Sequence, residues 1–487
     1  MENKQIELMG KAPVTKAILK LSIPVVIGMM IQVFYNLVDT FFIGKLNDQN
    51  QLAAANITTP VFMLLMAIAT IVSTGAASYI SRCLGKKEHE NANRTLTTGI
   101  LICIALAVVV MAVGLIFVKP LIIALGASEE VFPYAYQYVV VMLLGSIPVM
   151  LNYASGQLLR SEGAAMPSIT GMMIGTVVNI VLDPIFIFGF NMGILGAGIA
   201  TVLGNAAAMG YYIWFYLSGK SMLQIKPKFI STDKTIWKEI FLIGIPACMS
   251  QLLSSVAMII LNNQAKKYGD SVLAGMGISS KLMFIGTFIF MGFAAGCQPL
   301  VGFNYGAKNY KRVREIFKTG MVMTFGIGFV LTFIFWFSTN GLVSFFTPLP
   351  EIISQGTIVL RISIFSFLIL GPQMLASTGI QAFGKAKEAL ILSLARQGVV
   401  YIPLLFAMQS LLGFNGLIWA QPIADAITLG IGLLFLAVIL KKSTGKKLNL
   451  LKAIMFLTNF TKHNADRYFI STDQNMSGLL LLYSRLF

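Results

Sequence analysis

The sequence predicts an all-α membrane protein with twelve transmembrane helices in two six-helix bundles. Three observations carry that prediction. First, apolar residues make up 56% of the 487 and charged residues only 11%, against roughly 25% charged in a soluble globular domain. A chain this apolar has too few polar groups to coat a water-facing surface, and its 35 Phe exclude a disordered chain as well. Second, the apolar residues gather in long runs, which suit helices rather than barrel strands. Third, the two halves of the chain echo one another at an offset of 220–222 residues.

Taken in order, the first-half spans are expected at 14–44, 52–81, 95–118, 134–158, 166–189 and 194–217. Those of the second half are expected at 236–263, 272–303, 317–339, 354–383, 388–411 and 415–441. Most exceed the ~20 residues that cross ~30 Å of hydrocarbon, so several should tilt or kink. Lys and Arg collect in alternate connections: 26 share a side with the N-terminus, against four (Lys45, Lys119, Lys266, Lys267) on the other. This bias accounts for the net charge of +17 without a nucleic-acid partner and puts both termini in the cytoplasm. The first apolar run is too long for the core of a cleavable signal peptide. Cys83, Cys103, Cys248 and Cys297 lie in or beside apolar runs without metal-ligand spacing, and are expected to be buried, reduced and inert.

The duplication is read from an ordered series of matches. Ile23-Pro24 recurs as Ile245-Pro246, Leu52-Ala53 as Leu273-Ala274, Gly85 as Gly306, Gly99 as Gly320, Gly163 as Gly384, and Gly193…Gly196 as Gly413…Gly416. Six spans per repeat is an even number, so the halves enter the membrane the same way round. They are expected to be related by a pseudo-twofold axis along the membrane normal, the parallel-repeat plan of transporters. The polar stretch at about 218–235 would tether them. The expected organisation is an N-terminal lobe over 1–230, a C-terminal lobe over 231–445 and a tail over 446–487 with no assigned role.

Of nineteen acids, only Asp39, Asp183 and Asp425 fall inside spans, and an ionisable group at membrane depth is a functional candidate by default. Asp39, Asp183 and Thr201 should lie in one layer, roughly 8–11 Å below the outer surface at 1.5 Å per residue. Asn179 is one turn from Asp183 and faces the same way. Gln32, Asn36 and Asp39 form a polar stripe on the first span with Tyr35 beside it. Two carboxylates brought together in low dielectric take up a proton or hold Na⁺ on hard oxygen ligands. Asp39 and Asp183, with Asn179 and Thr201 beside them, are therefore candidates for a cation-coupling site, and for Na⁺ ligands if sodium is the ion; the alternative is that each aspartate is a satisfied interhelical hydrogen bonder or a helix cap. Pro24, ahead of the stripe, permits a helix bend. Gln32, Tyr35, Asn36, Tyr138, Asn152 and Tyr153 are candidates for a substrate cleft. The repeat mates of Asp39 and Asp183 are apolar, so coupling is expected in the first lobe alone. Lys281, Arg361, Arg396 and Asp425 read as structural: Arg396 and Asp425 could pair, although the span limits put them at different depths, and Arg361 is expected to snorkel outward. No nucleotide-binding, zinc or nucleophile motif is present, so neither an ATP engine nor an enzyme is expected.

Four stretches resemble the MATE (multidrug and toxic compound extrusion) family, near its DinF/MepA-like bacterial branch. They are Ile23-Pro24 with Asn36–Thr40, the segment TGAASYISRCLG ending at Gly85, NIVLDPIFIFG over 179–189, and GILGAGIAT over 193–201. With their repeats they cover about residues 13–445; beyond about 446 the chain departs from the family. The resemblance implies a twelve-helix, V-shaped exporter that moves organic cations or drugs by antiport against H⁺ or Na⁺. It also implies a first-lobe site at Asp39, Asn179, Asp183 and Thr201. The expected protein is a multi-pass, monomeric exporter of the cytoplasmic membrane with no cofactor beyond its coupling ion. The alternatives are a flippase for a lipid-linked precursor, which would need a basic central cavity, and a non-transporting membrane scaffold.

Overall fold

The computed structural model describes residues 2–46 and 48–442; the side chains of residues 2–4, 35–37, 39–41 and 44 lie outside the described set. The expected tail at 446–487 also lies outside it. Residues 1–432 form one compact unit, and residues 433–442 are the last described turns of a second.

Sixteen α-helices account for the described chain. A short α1 (Glu2–Gly10) precedes the first span, α2 (Val14–Gly44), which continues unbroken through Pro24. Next come α3 (Gln49–Gly85), α4 (His89–Ile116) and a small α5 (Val118–Ala124). A bent pair follows, α6 (Phe132–Leu144) and α7 (Ser146–Ser161), and then α8 (Ala165–Pro184) and α9 (Gly193–Leu217). The second half holds α10 (Lys234–Ala265), α11 (Asp270–Gly306), α12 (Tyr310–Ser344), the bent pair α13 (Pro350–Ser363) and α14 (Ser366–Ala382), α15 (Ala386–Leu394) and α16 (Tyr401–Lys442). Polar caps set several starts. Asp48 accepts from the Asn50 and Gln51 N–H groups at 2.9 and 3.3 Å, Asp233 from Thr235 N–H at 2.8 Å, and Asn309 from Arg312 N–H at 3.2 Å.

Nine of the described segments are long and apolar enough to cross a membrane, and taking each bent pair (54° and 46°) as one span makes eleven. The segment Ala386–Lys442 is itself two spans, because Gly413 breaks the helix with φ 59°, ψ −134°. The count is therefore twelve, six on each side of the 218–233 connection, with ends up to seven residues from those expected. The surface between the ends is apolar, as lipid requires: Phe333 and Phe337, for instance, are 58% and 74% exposed.

The duplication extends to the backbone. Left-handed φ recurs at Lys87 and Lys308, at Gly163 and Gly384, and at Gly193 and Gly413, each pair 220–221 residues apart. It also governs how the halves meet. A Cβ on Gly85 would collide with the Phe303 carbonyl, and one on Gly306 with the Arg82 carbonyl; these two contacts are images of one another under the 221-residue shift. Along the same seam Gly75 packs on Ile240 and Gly244 on Ile71, while Gly292 packs on Val26 and Gly296 on Ser22. Small residues let the helix backbones approach to contact, which is how helices associate where lipid removes the hydrophobic drive.

The pairing that the sequence allowed is made: Arg396 Nε donates to Asp425 Oδ1 at 3.4 Å, and Gln421 Nε2 donates to the same oxygen at 3.1 Å. Arg396 sits in a π-helical turn, Ala395–Val399, and its long side chain spans the offset that counting residues implied. The four cysteines are free and buried. Arg361 is exposed and lies over the Trp336 ring, 5.7 Å from its centre.

Candidate functional site

The first half holds a partly open cavity of about 100 Å³ between α2, α3, α7, α8 and α9. Each helix brings side chains to it at helical spacing. Helix α7 presents Asn152, Tyr153, Gly156 and Arg160; α8 presents Met172, Gly175, Thr176 and Asn179; and α9 presents Thr201, Gly204, Asn205 and Tyr212. Met29 and Gln32 come from α2, and Phe62 and Met66 from α3. Glycine makes the approach possible: Cβ atoms at Gly175 and Gly204 would each press on the other helix's backbone at 2.9 and 2.7 Å.

At one end of the cavity stands the buried group Asn179, Asp183 and Thr201, exposed by 2%, 0% and 4%. The Asn179 amide joins the other two. In the orientation that satisfies both sides, its nitrogen donates to Asp183 Oδ2 at 3.1 Å and its oxygen accepts from Thr201 N–H at 3.0 Å. The π-helical turn Ile185–Gly189 begins two residues beyond Asp183, an irregularity frequent at functional sites. One turn along α9, Asn205 accepts from Asn152 Nδ2 at 2.7 Å and donates to the Thr201 carbonyl at 2.8 Å. The group supplies carboxylate, amide and hydroxyl oxygens, hard donors suited to a proton or an alkali cation.

The structure thus brings Asn179, Asp183 and Thr201 into one cluster and puts Gln32, Asn152 and Tyr153 on the wall of the adjoining cavity. Tyr138 is not on that wall; it packs against Gly198 and the apolar cluster around Ala54 and Ile194. Tyr35, Asn36 and Asp39 belong to α2, but their side chains lie outside the described residues.

Three buried charges escaped the sequence analysis. Arg160, counted there among the loop cations, is only 9% exposed, and its Nη1 donates to Ser168 Oγ at 2.7 Å. The i, i+4 spacing of Asn152, Gly156 and Arg160 was the available signal. Glu162, in the α7–α8 connection, is 0% exposed and accepts from Ser221 Oγ at 2.8 Å and Leu223 N–H at 3.2 Å. Burial pushes its carboxyl up to about 8, against the opposing pull of those hydrogen bonds. It pins the 218–233 connection to the first half. Arg82 pairs with Glu239 across the halves at 2.7 Å.

Comparison with known proteins agrees with this architecture. The sequence profile of the MatE family matches twice, over residues 24–185 and 246–407, two stretches offset by the chain's own 222-residue repeat. The chain is 34% identical to the multidrug export protein MepA of Staphylococcus aureus (strain MRSA252) over 428 residues, 88% of this chain and 94% of that one. It is 30% identical to MepA of Staphylococcus saprophyticus, covering 93% of this chain and 100% of that one. Among solved structures, a MATE crystal structure in complex with MaL6 superposes with a TM-score of 0.86 at 25% identity, over 91% of this chain and all of that one. A MOP superfamily transporter from Pyrococcus furiosus gives 0.85 at 26% identity, over 91% and 99% of the two chains. A profile that matches each half in the register of the duplication leaves one assignment: this chain is a multi-pass membrane transporter of the MatE family.

Proposed function

We propose that the protein is a multidrug exporter of the cytoplasmic membrane that moves organic cations or drugs outward by antiport against H⁺ or Na⁺. The observation that carries this reading is the buried Asn179–Asp183–Thr201 cluster beside a cavity in the first half that is lined by both apolar and polar side chains. A carboxylate at membrane depth is stable only with a proton, a cation or strong donors, so its occupant is exchangeable with the ion gradient. Asp39, on α2, is the second acid of the proposed pair. The relatives' names, multidrug export proteins, support the class of cargo.

In the proposed cycle a cation enters at Asp39 and Asp183 from outside, α2 bends about Pro24, and the cargo's affinity falls. The carrier then turns inward, releases the cation and rebinds cargo. Both termini face the cytoplasm, by the bias in Lys and Arg. The first lobe, 1–230, couples; the second, 231–445, completes the pathway; the chain acts as a monomer. The test is dye export from proteoliposomes under an imposed pH or Na⁺ gradient, run with each ion separately. Gradient-driven export that Asp183→Asn abolishes, with the variant folded and inserted, is the expected result. Undiminished export by that variant removes the coupling assignment.

A further inference from the structure

We propose that the buried guanidinium of Arg160 is a subsite for a monovalent anion, either free chloride or a carboxylate group, at the end of the cavity opposite Asp183. Arg160 lies in the last turn of α7 and lines the cavity beside Gly156. Its Nη1 donates to Ser168 Oγ and its Nη2 to Gln157 Oε1, and both partners are neutral. Its Nε has no partner. Among the described residues no carboxylate pairs with it. Glu162, two positions on, is engaged with Ser221 and Leu223 instead.

A charge taken out of water is ordinarily paired. Neutral dipoles and the carbonyl end of α7 offset only part of that cost, and none of the described residues supplies the missing negative charge, which the proposal assigns to a bound anion. The cavity admits it. At about 100 Å³ it holds a chloride with a few waters or the carboxylate end of a larger molecule, and it is small for a whole drug. The two ends are well separated. Ser168, which touches Arg160, and Asn179, which touches Asp183, are about 16 Å apart along α8. The charge has no image in the second half, where the repeat position is Gln381.

The inference rests on the burial and pairing of Arg160, not on the export reading, and its first test needs no transport. Purified full-length protein is titrated with chloride, and with formate, against methanesulfonate, a bulkier anion without a carboxylate, at constant ionic strength while its unfolding temperature is followed. A saturable rise of about 2 °C is expected, kept in Arg160→Lys and lost in Arg160→Gln. If Arg160→Gln does not fold, crystals of the unaltered protein grown with bromide decide: an anomalous peak within hydrogen-bond reach of the guanidinium is expected.

Transport then separates the two sources. Proteoliposomes export a carboxylate-bearing compound and its ethyl ester. A KM raised about tenfold in Arg160→Lys for the acid alone, the loss of one charge-assisted hydrogen bond, identifies the cargo as the source. Equal KM values with an intact chloride response identify the free ion. No anion response, no anomalous peak and no acid–ester difference together overturn the proposal.

Discussion

Arg82 donates from Nη2 to Glu239 at 2.7 Å, tying α3 of the first half to α10 of the second. The same guanidinium donates from Nε to the Ser78 carbonyl at 3.2 Å and lies over Tyr79, while Gly384 leaves room for it by lacking a side chain. Both side chains are mostly withdrawn from water, at 11% and 27% exposure, so the attraction is less screened than at an open surface. A double-mutant cycle with Arg82→Gln and Glu239→Gln, read by unfolding in detergent, should give a coupling of about 1–2 kcal/mol. A coupling of zero would show that the pair holds nothing together.

The glycine contacts between the halves make a steric prediction. Gly85→Ala and Gly306→Ala should each cost about 1–3 kcal/mol by forcing α3 and α11 apart. The double variant should cost less than the two together, because once the seam has opened the second methyl meets less resistance. Gly210, whose added Cβ would touch nothing within 4 Å, is the control: Gly210→Ala should be neutral or stabilising by up to ~1 kcal/mol. Unfolding temperatures of the four variants check this.

Glu162 makes a pH prediction. Its carboxyl is raised to about 8 in the folded protein from an ordinary value of 4.5, so the native state binds the proton more tightly than the unfolded chain does. The resulting stability is full below pH 4.5 and is lost as pH rises toward 8 and through it. The unfolding temperature should therefore fall between pH 6 and pH 8.5, and Glu162→Gln should flatten that dependence. Equal slopes for the two proteins would remove Glu162 as the cause.

The Arg396–Asp425 pair predicts an asymmetry between breaking and replacing it. Asp425 is 1% exposed, so Arg396→Met strands a buried carboxylate and should cost about 3–5 kcal/mol. Arg396→Met combined with Asp425→Leu should recover most of that loss. Stabilities of the two single variants and the double one, with membrane insertion checked, test this directly.

Much of this molecule was legible before any coordinates. Span limits such as 14–44 and 194–217 follow from where apolar runs stop, because the bilayer acts on each segment separately. The 221-residue repeat was equally visible, since turns that need Gly163 and Gly384 keep their glycines. The proximity of Asn179 to Asp183 is one turn of helix, again a local matter. Nothing local, however, distinguishes the connection-end Arg160 or Glu162 from a solvated charge, and nothing local pairs Arg396 with Asp425.

The sequence by itself therefore determined the class of molecule, the number of crossings and the duplication. Only the tertiary structure decided which charges are paired, which are buried without a counter-charge, and which glycines bring the halves together. The physical reason is one of range. Hydropathy and helical period act within a segment, whereas the energy of a buried charge depends on what faces it across a helix interface, and here those partners stand up to 157 residues away in the chain.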